Sequence, residues 1–270
     1  MDSIIVRYGE IWLKGQNRPL FENKLVRNIK EFLKKNNIEA KVKKFRGRVL
    51  INYNKKLPNL KNIFGITSYS YAKELDLDIE IIKKQAIKLI TKNTKSFRVS
   101  SKRVQKDIDI NSQQINETIG EYIFEKLKTK VNLKQPEKNI TIEIFNKKAY
   151  LFENNKQTVK AYGGLPVGVS GLTTLILENK DSLLAGVLML KRGCSLELIN
   201  KNKINHKTLE NYSYGLNIKE TKTSTENSYA IVLSETLKNY KERKFKKIIL
   251  RPLISYSEKD IKNQIKYFSI

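Results

Sequence analysis

The chain has 270 residues, enough for one large domain or two to three small ones with a sizeable buried core. Its 53 lysines and arginines face 27 aspartates and glutamates, a formal net charge of +26, which excludes an acidic binding protein and points to an anionic partner. Apolar residues make up 40% and are spread along the sequence, so this is a folded cation rather than a basic tail. One cysteine, Cys194, and one histidine, His206, allow no internal disulfide and no Cys/His cluster, and no metal site is expected. No stretch approaches the ~18–20 apolar residues of a membrane span, and the N-terminus has no apolar signal region. The expectation is a soluble, cytoplasmic protein with no membrane partner.

Ile4, Ile5 and Val6 predict a strand, Gly9 and Gly15 a loop, and Phe21, Leu25, Ile29, Phe32 and Leu33 share one face of a helix. Residues 40–45 and 49–53 read as strands joined by a hairpin turn at Arg46-Gly47-Arg48, 58–64 as a short helix opened by Pro58, and 66–72 as a strand. The order β-α-β-β-α-β is the ferredoxin-like plan, so residues 1–75 are expected to form a small α+β domain. A second α/β unit over residues 76–162 follows. In it, Ile82, Ala86, Leu89 and Ile90 mark a helix, 97–104 a strand, and Ile115, Ile119, Ile123 and Leu127 a helix capped by Asn111 or Ser112. Residues 140–145 and 149–152 alternate as strands about a turn at Asn146-Lys147.

Four glycines and a proline between Gly163 and Gly171 mark a linker, 163–171. Beyond it, 173–177 fits a buried parallel strand, 182–191 an apolar helix and 195–199 another strand, the start of a reduced Rossmann-like parallel-sheet domain over 172–270. Residues 200–227 are polar and carry no clear pattern. The first 75 residues hold 17 basic and 6 acidic side chains, +11, and the segments 76–165 and 166–270 hold +7 and +8. A long polyanion lying across several domains, such as a tRNA, fits that distribution better than one basic pocket.

The stretch from Tyr8 through Trp12, Lys14 and Arg18 to Phe21-Glu22 resembles the opening signature of the tRNA 4-thiouridine synthetases, the ATP-dependent tRNA sulfurtransferases. Phe64-Gly65-Ile66, the segment from Phe97 to Lys106, Gly163-Gly164-Leu165-Pro166-Val167-Gly168 and Arg251-Pro252-Leu253-Ile254 agree in order. The resemblance implies an N-terminal ferredoxin-like domain, a THUMP RNA-binding domain and a C-terminal adenine-nucleotide-binding domain related to the adenine nucleotide alpha hydrolases, with a phosphate (PP) loop. Lys14 and Arg18, with Arg98, Lys102, Arg103 and Lys106, are the candidate RNA-binding residues, because clustered cations neutralise phosphates and release counterions. By similarity the RNA is the acceptor stem and 3′ end of tRNA. Trp12, Tyr69 and Tyr71 are read as core or interface aromatics, with base stacking as their functional alternative.

The last domain departs from the family where the chemistry belongs. The resemblance predicts Ser-Gly-Gly-x-Asp-Ser, whose glycines let backbone N–H groups close on phosphate oxygens. This chain has Leu177-Glu178-Asn179-Lys180-Asp181-Ser182. A carboxylate ~5 Å from a phosphate charge costs roughly 3 kcal/mol at an effective dielectric near 20, which Lys180 would partly offset. Asp181-Ser182 is then read as a helix N-cap. A second family motif, Thr-Gly-Glu-Ser, falls on Thr225-Glu226-Asn227-Ser228, also without its glycine, and the stretch before it is shorter than in the family. The residual nucleotide-side candidates are Lys180, Asp181, Ser182 and Thr225. Sulfur transfer needs a thiolate, and the resemblance places the family's cysteine-bearing segment beyond Ser269-Ile270; Cys194 is read as a structural residue and His206 as a surface one. No catalytic residue is assigned.

Three readings follow. The first is a tRNA-binding adaptor in thiolation that works with a sulfur-donor or adenylating protein partner. The second is an active sulfurtransferase that uses ATP and Mg2+ to adenylate a tRNA uridine and takes sulfur from a partner persulfide. The third is a scaffold that forms a homodimer through the apolar helix 182–191.

Overall fold

The computed structural model describes residues 2–104 and 111–270. It divides into two compact units, one of Met1–Arg7, Ala40–Pro58 and Ser68–Lys160, the other of Tyr8–Glu39, Asn59–Thr67 and Ala161–Ile270. The elements up to the central glycine-rich loop are β1 (Ser3–Tyr8), α1 (Arg18–Lys35), β2 (Lys41–Phe45), β3 (Arg48–Asn52), β4 (Ile66–Asp76), α2 (Ile79–Ala86), β5 (Ser96–Arg103), α3 (Ser112–Leu127), β6 (Lys130–Val131), β7 (Lys138–Phe145), β8 (Lys148–Glu153), α4 (Asn154–Gln157) and β9 (Thr158–Lys160). After the loop come β10 (Leu172–Leu177), α5 (Asp181–Lys191), β11 (Ser195–Asn200), α6 (Lys207–Glu210), β12 (Lys219–Glu220), β13 (Ser228–Val232), β14 (Ile248–Leu250) and α7 (Glu258–Phe268).

Strands β1 to β9 form one sheet in the order β2-β3-β1-β4-β8-β7-β5-β6, with β9 also pairing β4. The apolar run of β1 is buried from Ser3 to Val6, as a central strand covered on both faces requires. At the β7–β8 hairpin Asn146 and Lys147 both take positive φ, 53° and 54°, the turn hand that matches the twist of the strands it joins. Helix α3 starts in a capping box: the Asn111 side chain accepts from the Gln114 N–H, and the Gln114 side chain accepts from that of Asn111. On the helix-covered face Phe97, Val99, Ile140, Ile142 and Ile144 pack with Ile115, Ile119 and Ile123.

The second unit holds a five-stranded parallel sheet, β12-β11-β10-β13-β14. Helix α1 buries Leu25, Ile29, Phe32 and Leu33 at helical spacing, and Phe32 meets Tyr214 edge-on at 5.1 Å. Gly164 has φ +79°, and a Cβ there would stand 2.3 Å from the carbonyl oxygen of Lys191, which instead accepts the Leu165 N–H. Only glycine lets the chain pass that close.

The expected second helix of the ferredoxin-like order is a single 3-10 turn, Leu60–Asn62, because Asn59 adopts left-handed backbone and Ile63 is already extended. The unpatterned stretch 200–227 contains only the one-turn α6 and the two-residue β12. The apolar helix α5 is not a free subunit face. Its Leu184, Ala185, Val187 and Leu190 are buried beside Leu209, Tyr212 and Phe268 of the same unit, which explains why apolar residues run all round it.

Candidate nucleic-acid interface and the β10–α5 loop

Strand periodicity sorts the basic run of β5. Registered pairs share a face: Val99, Ser101 and Arg103 stand with Ile140, Ile142 and Ile144 on the helix-covered side, whereas Arg98, Ser100 and Lys102 stand with Asn139, Thr141 and Glu143 on the other. Arg98 and Lys102 therefore belong to one surface and Arg103 to the opposite one; Lys106 lies outside the described residues. The Arg98 guanidinium donates to the Leu133 carbonyl at 2.8 Å, and Lys102 is exposed. On the same face Glu143 is clamped by Arg7 at 2.7 Å and Arg48 at 2.6 Å. Burial pushes the Glu143 carboxyl up, but the two guanidiniums outweigh it and hold it below the usual carboxylate range.

In the second unit, Lys14 and Arg18 each stand over an aromatic ring. The Lys14 ammonium lies 5.1 Å from the Phe21 ring centre, and the Arg18 guanidinium lies 4.5 Å from that of Trp12. Arg18 also pairs with Glu22 at 3.2 Å, and Glu22 accepts the Tyr8 hydroxyl, so part of the Arg18 charge is spent internally. Trp12 is 43% exposed and not a core aromatic, while Tyr69 and Tyr71 are buried as expected.

The β10–α5 loop closes on itself. Ser182 is fully buried, and its Oγ accepts from the Glu178 and Asn179 N–H groups at 3.3 and 3.4 Å. The Asn179 side chain accepts the Ser182 N–H at 3.0 Å and the Ser234 hydroxyl at 3.1 Å. The side-chain acceptor at the start of α5 is thus Asn179, one residue before the N-cap Lys180, and neither Asp181 nor Ser182 is the cap. Glu178 receives both Nη atoms of Arg243 at 2.7 Å and Lys201 at 3.0 Å. Hydrogen bonds from Arg243, opposed by burial and assisted by Lys201, bring its carboxyl down to about 2. Its charge is compensated by these two residues, while Lys180 is exposed and makes no ion pair among the described residues. Arg243 also reaches Glu235 at 2.7 Å, as does Arg251.

Thr225 lies apart from this loop. Its N–H and hydroxyl both donate to Glu197, at 2.9 and 2.7 Å, and Glu197 stands in register with Thr174, three residues before the end of β10. Burial presses the Glu197 carboxyl upward, but the Thr174 and Thr225 donors prevail and hold it below its usual value. Cys194 is 5% exposed in the core of the second unit, and burial pushes its thiol up, away from a reactive thiolate. His206 is half-buried rather than a free surface group, with Nδ1 3.9 Å from Glu220.

Comparison with known proteins gives the arrangement its relatives. Residues 3–70 match the ThiI ferredoxin-like domain and 77–153 the THUMP domain. A "Probable tRNA sulfurtransferase" of Brevibacillus brevis is 37% identical over 209 residues, covering 74% of this chain and 51% of that protein. The chain belongs to the tRNA sulfurtransferase family. This family member spans about half the length of the curated relatives it matches. Among solved structures it is similar to PH1313 from Pyrococcus horikoshii Ot3, with TM-score 0.85, 27% identity and all of both chains covered. It is also similar to a 4-thiouridine synthetase solved as an RNA complex with bound ATP, with TM-score 0.77, 25% identity, 99% of this chain and 85% of that one covered. Among the described residues no helix is long and apolar enough to cross a membrane, and no three His, Cys, Asp or Glu side chains stand close enough to hold a metal ion.

Sequence reasoning missed Arg243, Lys201 and Ser234 in this tRNA sulfurtransferase relative. Arg243 is 65 residues from Glu178 and Ser234 is 52 from Ser182, separations that no local motif encodes.

Proposed function

We propose that the chain is a cytoplasmic tRNA-binding protein of tRNA thiolation in which residues 1–75 and 76–162 hold the acceptor stem and 3′ end of tRNA. In this reading 163–171 connects them to a domain, 172–270, whose loop does not receive ATP. The observation that carries the second half is the β10–α5 loop: the N–H groups of Glu178 and Asn179 are turned to Ser182, and the Glu178 carboxylate occupies the loop with Arg243 and Lys201. A triphosphate would have to displace Ser182 from those donors and break a charge-assisted pair. The residues present do not fit ATP or its Mg2+, and no step is routed through them. The chain then acts as an adaptor, with the adenylating or sulfur-donating chemistry supplied by a protein partner.

The first half is supported by the THUMP domain, the net charge of +26 and the RNA found in the related 4-thiouridine synthetase structure. The ATP in that structure favours the second reading, an active sulfurtransferase, and the two readings separate in one experiment. Calorimetry of the purified chain with ATP and with AMP, in Mg2+ and with tRNA present, gives no saturable heat if it is an adaptor. Saturable binding of either nucleotide, abolished by Ser182→Ala, establishes the enzyme reading instead.

A further inference from the structure

A cleft of about 660 Å³ in the second unit is lined by Leu20, Asn23, Lys24 and Arg27 of α1 together with Gly168 and Val169 of the glycine-rich loop. Leu20, Lys24 and Arg27 follow at i, i+4 and i+7, so one helix stripe carries an exposed apolar residue, a half-buried lysine and an exposed arginine. Neither Lys24 nor Arg27 is paired with a carboxylate among the described residues, in contrast to Arg18 at the start of the helix. Burial, and then the neighbouring Arg27, lowers the Lys24 pKa from its usual value: the ammonium has given up water without gaining a counter-charge.

The cleft is also built to stay in place. Gly168 has φ +92°, and a Cβ there would come within 2.7 Å of both Cε and Nζ of Lys24, so the absent side chain makes the seat for the lysine. The N–H groups of Gly168 and Val169 both donate to the Gly193 carbonyl, at 2.8 and 3.0 Å, which fixes the loop. Asn28 of α1 donates to the Val167 carbonyl at 3.2 Å, which fixes the helix to it. Two neighbouring cations beside a cleft whose walls are fixed, with no carboxylate paired to either among the described residues, make a ready anion site.

We propose that Lys24 and Arg27 clamp a backbone phosphate of bound RNA in this cleft, with Leu20 at its apolar edge. The proposal rests on the tRNA-binding reading and adds a specific contact to it. RNA is favoured over an acidic protein because every third of the sequence is positive, which suits a charged backbone running past the site.

The test measures tRNA affinity against salt for the wild type, for Lys24→Gln/Arg27→Gln, and for a control, Lys30→Gln/Lys34→Gln, that removes the same charge elsewhere on α1. One or two lost phosphate contacts lower the slope of log K against log [salt] by about 1–2 in the first variant and cut affinity roughly tenfold at low salt. The control keeps the wild-type slope to within about half of that change. Gly168→Ala, whose charge is unchanged, weakens binding in the same direction by unseating Lys24, and circular dichroism reports whether it folds. A wild type that ignores tRNA sinks the tRNA reading itself. A wild type that binds while the Lys24/Arg27 variant keeps the wild-type slope, or while the control lowers it as much as that variant does, overturns the clamp alone. Retained tRNA binding by that variant together with lost binding of a poly-aspartate peptide would reassign the cleft to an acidic protein partner.

Discussion

Replacing Glu178 by Gln tests whether the β10–α5 loop is held by its own charge pair. The carboxyl lies at about 2 in the folded chain against an ordinary value of 4.5, a difference of about 3 kcal/mol at roughly 1.4 kcal/mol per tenfold. Its side chain is 26% exposed, so solvent screening reduces this to about 1–2 kcal/mol. The folded value is the lower one, so the stabilisation is complete above about pH 4.5 and is lost as the pH falls through about 2. Urea unfolding followed by circular dichroism and by the fluorescence of Trp12, the sole tryptophan, should show the variant less stable by that amount at pH 7. The gap should shrink by half or more at pH 3, because the unfolded wild type then takes up a proton on Glu178 that the folded chain still resists, while the glutamine has none to take in either state. A gap of the same size at both values would refute the assigned pair, and no gap at pH 7 would mean that the Arg243 contact adds no stability.

Glutamate at Arg98 and Lys102 together should weaken a tRNA gel shift by roughly tenfold to a hundredfold, whereas Arg103→Glu, on the opposite face of β5, should weaken it by less than about threefold. Equal effects would show that the faces do not divide the labour. Gly164→Ala should destabilise the second unit by about 2–3 kcal/mol in thermal unfolding, since its Cβ meets the Lys191 carbonyl and its φ is positive. Cys194 should react with a thiol reagent on the order of 100-fold more slowly in the native protein than in denaturant, and equal rates would contradict its burial.

The amino-acid sequence by itself determined the strands of both sheets' centres, the long amphipathic helices, the Asn111 cap and the turn at Asn146-Lys147, because alternation, helical spacing and turn chemistry are properties of neighbouring residues. Local pattern also located the basic run of β5 and the loop after β10. Which of those cations share a surface was decided by strand pairing: Arg98 and Arg103 are five residues apart and therefore point to opposite sides of the sheet. Only the tertiary structure brought Arg243 to Glu178, Ser234 to Ser182 and Gly168 to Lys24. It also covered the apolar helix that the sequence left looking like an open face. Electrostatic compensation and close backbone approach act through space, over contacts tens to more than a hundred residues apart in the chain, and no window of sequence carries them.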